Sequence, residues 1–302
     1  MNRDTTPEIS EVRLHGSDSP SEGLLRVIGG AFGLAALGCT VAIAVTLTLL
    51  AADGADLASL RSVVWNPAQQ SFGVLPFLAG TVVVAVVAMV LAVPVGLLSA
   101  VYLAELAGPK VARSGAILLE LMAATPAVVV GFWGRSALVP ALREGANGVG
   151  LAPEGHGFGI AAASLVLAVM TIPTIAIVAR EILRALPREL REGPMALGIT
   201  RWETILKVLL PSARRGLYAA TALGFGRALG ETIAVSMVIG GRASFPSFGG
   251  PAATASSVLV DELLDATHPA HLAALALLAL SLLVFGAGTS AAARFIAERR
   301  DP

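Results

Sequence analysis

The stretch 224–241, GFGRALGETIAVSMVIGG, sets one arginine and, four residues on, one glutamate in an otherwise apolar run. An arginine side chain stays charged and presents a planar fork of donors that fits a carboxylate or a tetrahedral oxyanion, whereas a lysine is only a point charge. Glu231 stands at the spacing that puts two side chains on one helical face, so the sequence predicts that it pairs with Arg227. Gly226 and Gly230 repeat that spacing one residue earlier, a GxxxG that lets a second helix approach closely. Two readings of the pair stay open: a static bridge that fixes a helix bundle, or the lining of a pathway in which Glu231 holds the arginine until an anion arrives.

What must position these groups follows from composition. The 302 residues are 55% hydrophobic and 14% charged with mean hydropathy +0.78, values of a chain with several membrane spans. Its 21 basic and 21 acidic groups balance, which gives no field for nucleic acid or an acidic partner. Cys39 is the single cysteine and lies in an apolar run, so no disulfide or thiolate metal site can be built within the chain. The expected fold class is all-α and integral to the membrane, with six transmembrane helices near 24–51, 75–103, 115–142, 158–180, 216–240 and 271–296. Residues 1–22, rich in Ser, Pro and charge, are expected to form a disordered cytoplasmic tail before a domain over 23–302. A span starting near Gly216 puts Arg227 about 16 Å deep, where a charge costs at least about 2.5–3.5 kcal/mol unless it meets protein, water or an opposite charge.

Charge asymmetry sets the expected orientation. With the N-terminus inside, sixteen of the 21 basic residues fall in inner segments and three (Arg61, Arg143 and Arg242) in outer ones, so both termini are expected in the cytoplasm. Arg135, in GFWGRSALVP, lies toward the outer end of its span and is expected to snorkel as a rim residue. Prolines 94, 126 and 173 interrupt spans, either as ordinary bundle packing or as hinges.

The longest inner connection, 181–215, carries seven basic residues, and Arg180 stands just ahead of it. From Thr200 the apolar residues Ile205, Val208 and Leu209 recur at helical spacing beside Arg201, Glu203 and Lys207, which predicts an amphipathic helix preceded by a turn at Gly198 and ended by Pro211. Its greasy face is expected to meet headgroups or a protein partner.

EGPMALGITRWETILKVLLP (192–211) resembles the EAA loop of ABC importer permeases: Glu-Ala-Ala, three residues, Gly, nine residues, then Ile-x-Leu-Pro. Glu192, Gly198, Val208, Leu210 and Pro211 fit the spacing; Gly193 and Pro194 replace the alanines and Val208 the isoleucine. GRALGETIAVSMVIGG, FGVLPFLAGT, PVGLLSAVYLAE, LELMAATPAVVVGFWG and ATASSVLVDELLDATHPAHLAALALL resemble the phosphate-specific branch of that family, PstC type. From about residue 72 onward the chain is similar to it; the sister PstA type shares the RALGE core.

The resemblance implies the MetI-like permease fold and a heterodimer with a PstA-type permease. It also implies a cytosolic PstB-type ATPase dimer that uses ATP and magnesium, and an extracytoplasmic PstS-type phosphate-binding protein. This subunit would bind no cofactor and catalyse nothing. Arg227 and Glu231 would then line the substrate pathway, and Glu192, Gly198, Trp202, Ile205, Val208, Leu210 and Pro211 would form the coupling element against the ATPase. Sulfate or molybdate is the alternative cargo. Neither lysine, Lys110 or Lys207, belongs to a phosphate-binding loop, and no HExxH is present. An ion-coupled secondary carrier is the competing class, but such folds commonly carry internal repeats, and the two halves of this sequence read as unrelated.

Overall fold

The computed structural model describes residues 20–54, 62–148, 157–243 and 250–298. The chain divides into two units, one ending at Thr46 and the other beginning at Leu47. Most of helix α1 (Pro20–Ala52) lies in the first. The expected tail falls outside the described residues up to position 19, and its last three positions are the first turn of α1.

The second unit opens on a short hairpin, β1 (Trp65–Asn66) and β2 (Ser71–Phe72). The helices that follow are α2 (Leu75–Val101), α3 (Pro109–Ala124), α4 (Ala127–Trp133) and α5 (Val139–Gly148). Then come α6 (Ile160–Arg184), α7 (Glu189–Ala196), α8 (Arg201–Thr204) and α9 (Leu210–Gly230). The last three are α10 (Ile233–Ile239), α11 (Ala255–Glu262) and α12 (Pro269–Glu298). Single π turns extend α2 over Tyr102–Leu106, join α4 to α5 over Gly134–Leu138, and join α8 to α9 over Ile205–Leu209.

Four helices are long and apolar enough to cross a membrane, over Arg26–Ala52, Leu75–Leu106, Ile160–Arg184 and Pro269–Ala291. Two bent pairs bring the number to six: Pro109–Ala124 with Ala127–Gly145, bent by 91°, and Arg201–Gly230 with Ile233–Ile239, bent by 61°. The spans expected at 115–142 and 216–240 are therefore not single helices.

The two breaks have different causes. Thr125, ahead of Pro126, is driven to an extended conformation (φ −63°, ψ 128°), because the proline ring clashes with a helical residue before it. Pro94 and Pro173 instead sit inside the continuous helices α2 and α6. The second break contains no proline. Glu231 is extended (ψ 123°), and hydroxyls take up the carbonyls freed there: Thr232 Oγ1 donates to Gly230 O at 3.2 Å and Ser256 Oγ to Glu231 O at 3.2 Å. Away from water a freed carbonyl needs such a partner, which lets irregular backbone persist inside a bundle.

Helix α6 is the axis of the core. Ile160, Ala163, Val166, Leu167 and Ile175 are buried in one cluster with Val84, Ala88 and Ala92 of α2, Ala228 and Leu229 of α9, and Val235 and Val238 of α10. The short arms α4 and α10 pack against each other and on α6. A Cβ at Gly131 would come within 2.9 Å of Ala234 Cα and Met237 Sδ, and one at Gly134 within 2.6 Å of Val166, so both glycines are required for that approach.

Candidate functional site

The break in the fifth span rearranges the charged pair. Because α9 ends at Gly230, Arg227 is on its last turn, whereas Glu231 lies outside the helix. The expected pairing is not formed: among the described residues Arg227 makes no ion pair and is exposed. The Glu231 carboxylate turns the other way, and its Oε1 accepts from Ala234 N at 3.4 Å, tying it to the first turn of α10. The acid thus helps to cap the short arm, where a negative group also suits the positive end of the helix dipole.

The GxxxG reading also changes. A Cβ built at Gly226 or Gly230 meets nothing within 4 Å, so no helix of the described chain packs there. This face of α9, bearing Gly226, Arg227 and Gly230, is open within the subunit.

The second element lies at the far end of α6. After α6, helix α7 and the turn at Gly198 (φ +83°) lead directly into α8. Thr200 and Glu203 form a reciprocal cap at that start: Glu203 N donates to Thr200 Oγ1 at 3.3 Å and Thr200 N to Glu203 Oε2 at 3.3 Å. Arg201–Gly230 is then one continuous helix, so the amphipathic segment from Thr200 is the head of the fifth span and not a separate surface helix. Part of its greasy face is covered by this chain itself. Ile205 and Leu209, each 1% exposed, pack with Ala100, Val101, Ala179 and Leu183 of this chain. Of the other residues expected to couple, Glu192, Gly198, Trp202 and Pro211 are exposed, and Val208 and Leu210 are half-buried. The apolar groups that protrude include Leu197 (83% exposed), Trp202, Leu206 and Met195.

A buried clasp holds this loop to α2, and the sequence reading did not single it out. Glu105, 6% exposed in the π turn after α2, accepts from Arg191 Nε at 3.1 Å and from Arg191 Nη2 at 2.9 Å. Arg191 also donates to Leu186 O at 2.8 Å and Leu183 O at 2.6 Å, and Arg201 Nη2 donates to Glu105 O. The available signal was a lone acid at the end of an apolar run and, far along the chain, a loop with seven basic residues.

At the opposite end, near the start of α6, Trp65 packs edge-on against Phe72 and Phe77, and the His271 ring stacks on Phe72. Glu262 accepts from Trp65 Nε1 at 3.0 Å and lies 2.9 Å from His271 Nε2. This ties α11 to the hairpin and to α12. His271 is buried in this cluster.

The comparisons with known proteins agree with this architecture. The family described as "Binding-protein-dependent transport system inner membrane component" matches residues 92–301. The chain belongs to that family. This inner membrane component is 33% identical over 258 residues to the phosphate transport system permease protein PstC of Mesorhizobium japonicum, covering 80% of this chain and 78% of the relative. It is 35% identical over 235 residues to PstC of Haemophilus influenzae, covering 73% and 74%. To a probable ABC transporter permease of Bacillus subtilis, YqgH, it is 40% identical over 192 residues, covering 62% and 59%. Among solved structures it is similar in fold to a chain of the MetNI methionine ABC transporter in an inward-facing conformation. That match has a TM-score of 0.54 and 22% identity, covering 77% of this chain and 99% of that one. The fold is thus that of the ABC importer permeases, and the chain is a multi-pass membrane protein.

Proposed function

We propose that this chain is the permease subunit of an ATP-driven phosphate importer, supplying half of the translocation pathway. The observation that carries the reading is Arg227. It is an exposed guanidinium with no carboxylate partner among the described residues, one turn before a helix break, in a chain whose relatives are phosphate transport permeases. Broken helices with satisfied backbone are where membrane carriers build substrate sites, and an unpaired arginine fork matches a phosphate oxyanion. Glu231 holds the geometry of the break and flanks the path.

The exposed patch of Leu197, Trp202 and Met195, with Glu192 and Gly198 around it, docks on a cytosolic ATPase of PstB type. That ATPase binds ATP and magnesium; this subunit carries no catalytic step. ATP-driven closure pulls α7 and turns the permease outward, and hydrolysis resets it. A PstA-type permease covers the open Gly226–Gly230 face, and a PstS-type protein delivers phosphate from outside. The basic residues support cytoplasmic termini, with α7 inside.

The test is uptake into vesicles reconstituted with both permeases, the ATPase and the binding protein. ATP-dependent phosphate uptake in excess of sulfate and molybdate is expected. Uptake driven by a proton gradient without the ATPase would sink the proposal.

A further inference from the structure

A cavity of about 480 Å³ opens at the end of the bundle remote from α7, lined by Arg135, Phe158, Ser236, Gly240, Gly241 and Asp261 among others. It lies where three elements end: the π turn after α4, the C-terminus of α10 and the approach to α6. Arg135 is held over the Phe158 ring, 5.7 Å from its centroid, which leaves its donors free; among the described residues it makes no ion pair. The sequence alone reads Arg135 as a snorkelling rim residue; it is exposed, and it lines an open cavity that also contains an acid.

That acid is set apart from its neighbour. Glu262 is engaged by Trp65 and His271, whereas Asp261 lines the cavity. Burial, and then the Glu262 charge beside it, push the Asp261 carboxyl above the ordinary aspartate range. An arginine and an aspartate sharing one cavity without bridging offer donors on one side and an acceptor on the other. From this cavity α10 leads back to the break at Glu231, seven residues or about 10 Å away by helical rise. Ser236 stands midway along that arm.

We infer that this cavity is a binding site for a protonated oxyanion, hydrogen phosphate by class, ahead of the Arg227 break. Arg135 donates to the ionised oxygens, and Asp261 accepts the hydrogen bond of a P–OH. Sulfate is fully ionised at neutral pH and has no proton to give, so Asp261 repels it; discrimination comes from the unfavourable contact as much as from the favourable one. The inference rests on the phosphate reading and adds a selecting site within the permease.

The complete importer in vesicles tests it, with Cys39→Ser and Ser236→Cys as the parent. The rate at which an anionic methanethiosulfonate modifies position 236 of this chain is read by mass. Phosphate at millimolar concentration should slow modification severalfold, and sulfate at equal ionic strength should not. Arg135→Gln should abolish the protection, and Asp261→Asn should let sulfate protect as well. Independently, Arg135→Gln should raise the KM for phosphate uptake roughly fivefold, the scale of one partly solvated ion contact, with the maximal rate kept. Equal protection by both anions, protection that survives Arg135→Gln, or an unchanged KM would overturn the inference while vesicles that still import phosphate leave the functional reading standing. Vesicles that import another anion and not phosphate would overturn that reading and this ligand with it.

Discussion

Arg227 and Glu231 are four positions apart and serve different structures. The arginine ends a long helix with its donors free; the glutamate begins a short one, with its side chain on Ala234 N and its carbonyl under Ser256. Arg227→Gln should reduce phosphate uptake to background while membrane assembly and ATPase co-purification persist. Arg227→Lys should recover only part, because an ammonium cannot reproduce the bidentate fork. Glu231→Ala should lower the thermal midpoint of the detergent-solubilised complex by the equivalent of about 0.5 kcal/mol, the low end of a lost helix cap, since the 3.4 Å contact is long. Glu231→Gln, whose amide oxygen still accepts, should not. The sequence made both residues conspicuous by their cost in an apolar run. It could not separate them, because nothing between Gly230 and Thr232 is a helix breaker of proline's strength, and the hydroxyl that stabilises the break comes from Ser256, 25 residues on.

Elements were legible to the extent that their signals are local. Apolar length marked the spans, and Pro126 marked a break that the X-Pro clash enforces. The periodicity from Thr200 correctly gave one buried face but could not say in what it is buried: Ile205 and Leu209 read as a peripheral helix and instead pack on α2 and α6. Burial against one's own chain and against a partner leave the same pattern. The GxxxG of α9 has the same ambiguity, and Gly131 and Gly134, which do receive neighbouring helices, show no such spacing. The Glu105–Arg191 clasp joins residues 86 positions apart and was beyond any local signal. Arg191→Gln leaves Glu105 buried without its charge partner, a loss of about 3 kcal/mol for the loop's attachment. The complex should then hydrolyse ATP without importing phosphate, and limited proteolysis should cut near α7 sooner. In a double-mutant cycle Glu105→Gln should cost much less on top of Arg191→Gln than alone.

For the whole molecule, the protruding apolar groups and the free arginine sit at opposite stations of one helix. Leu197, at the turn before it, is 83% exposed within the described chain. Leu197→Asp should prevent the ATPase from co-purifying while this subunit still reaches the membrane and retains its second permease, as measured by affinity pull-down from solubilised membranes. Loss of the permease partner instead would place that side chain in the inter-permease contact.

The unbroken run Arg201–Gly230 turns that separation into mechanics. By helical rise it is a rod about 45 Å long, with the protruding turn at one end and Arg227 near the other. A tilt of only about 5° about either end moves the opposite end by roughly 4 Å, more than the length of a hydrogen bond. No signal need be relayed through side chains along the way. If Arg227 meets the anion as proposed, such a tilt would carry the guanidinium bodily into or out of its reach, with the extended residue Glu231 as the joint between the rod and the glycine-packed arms beyond it.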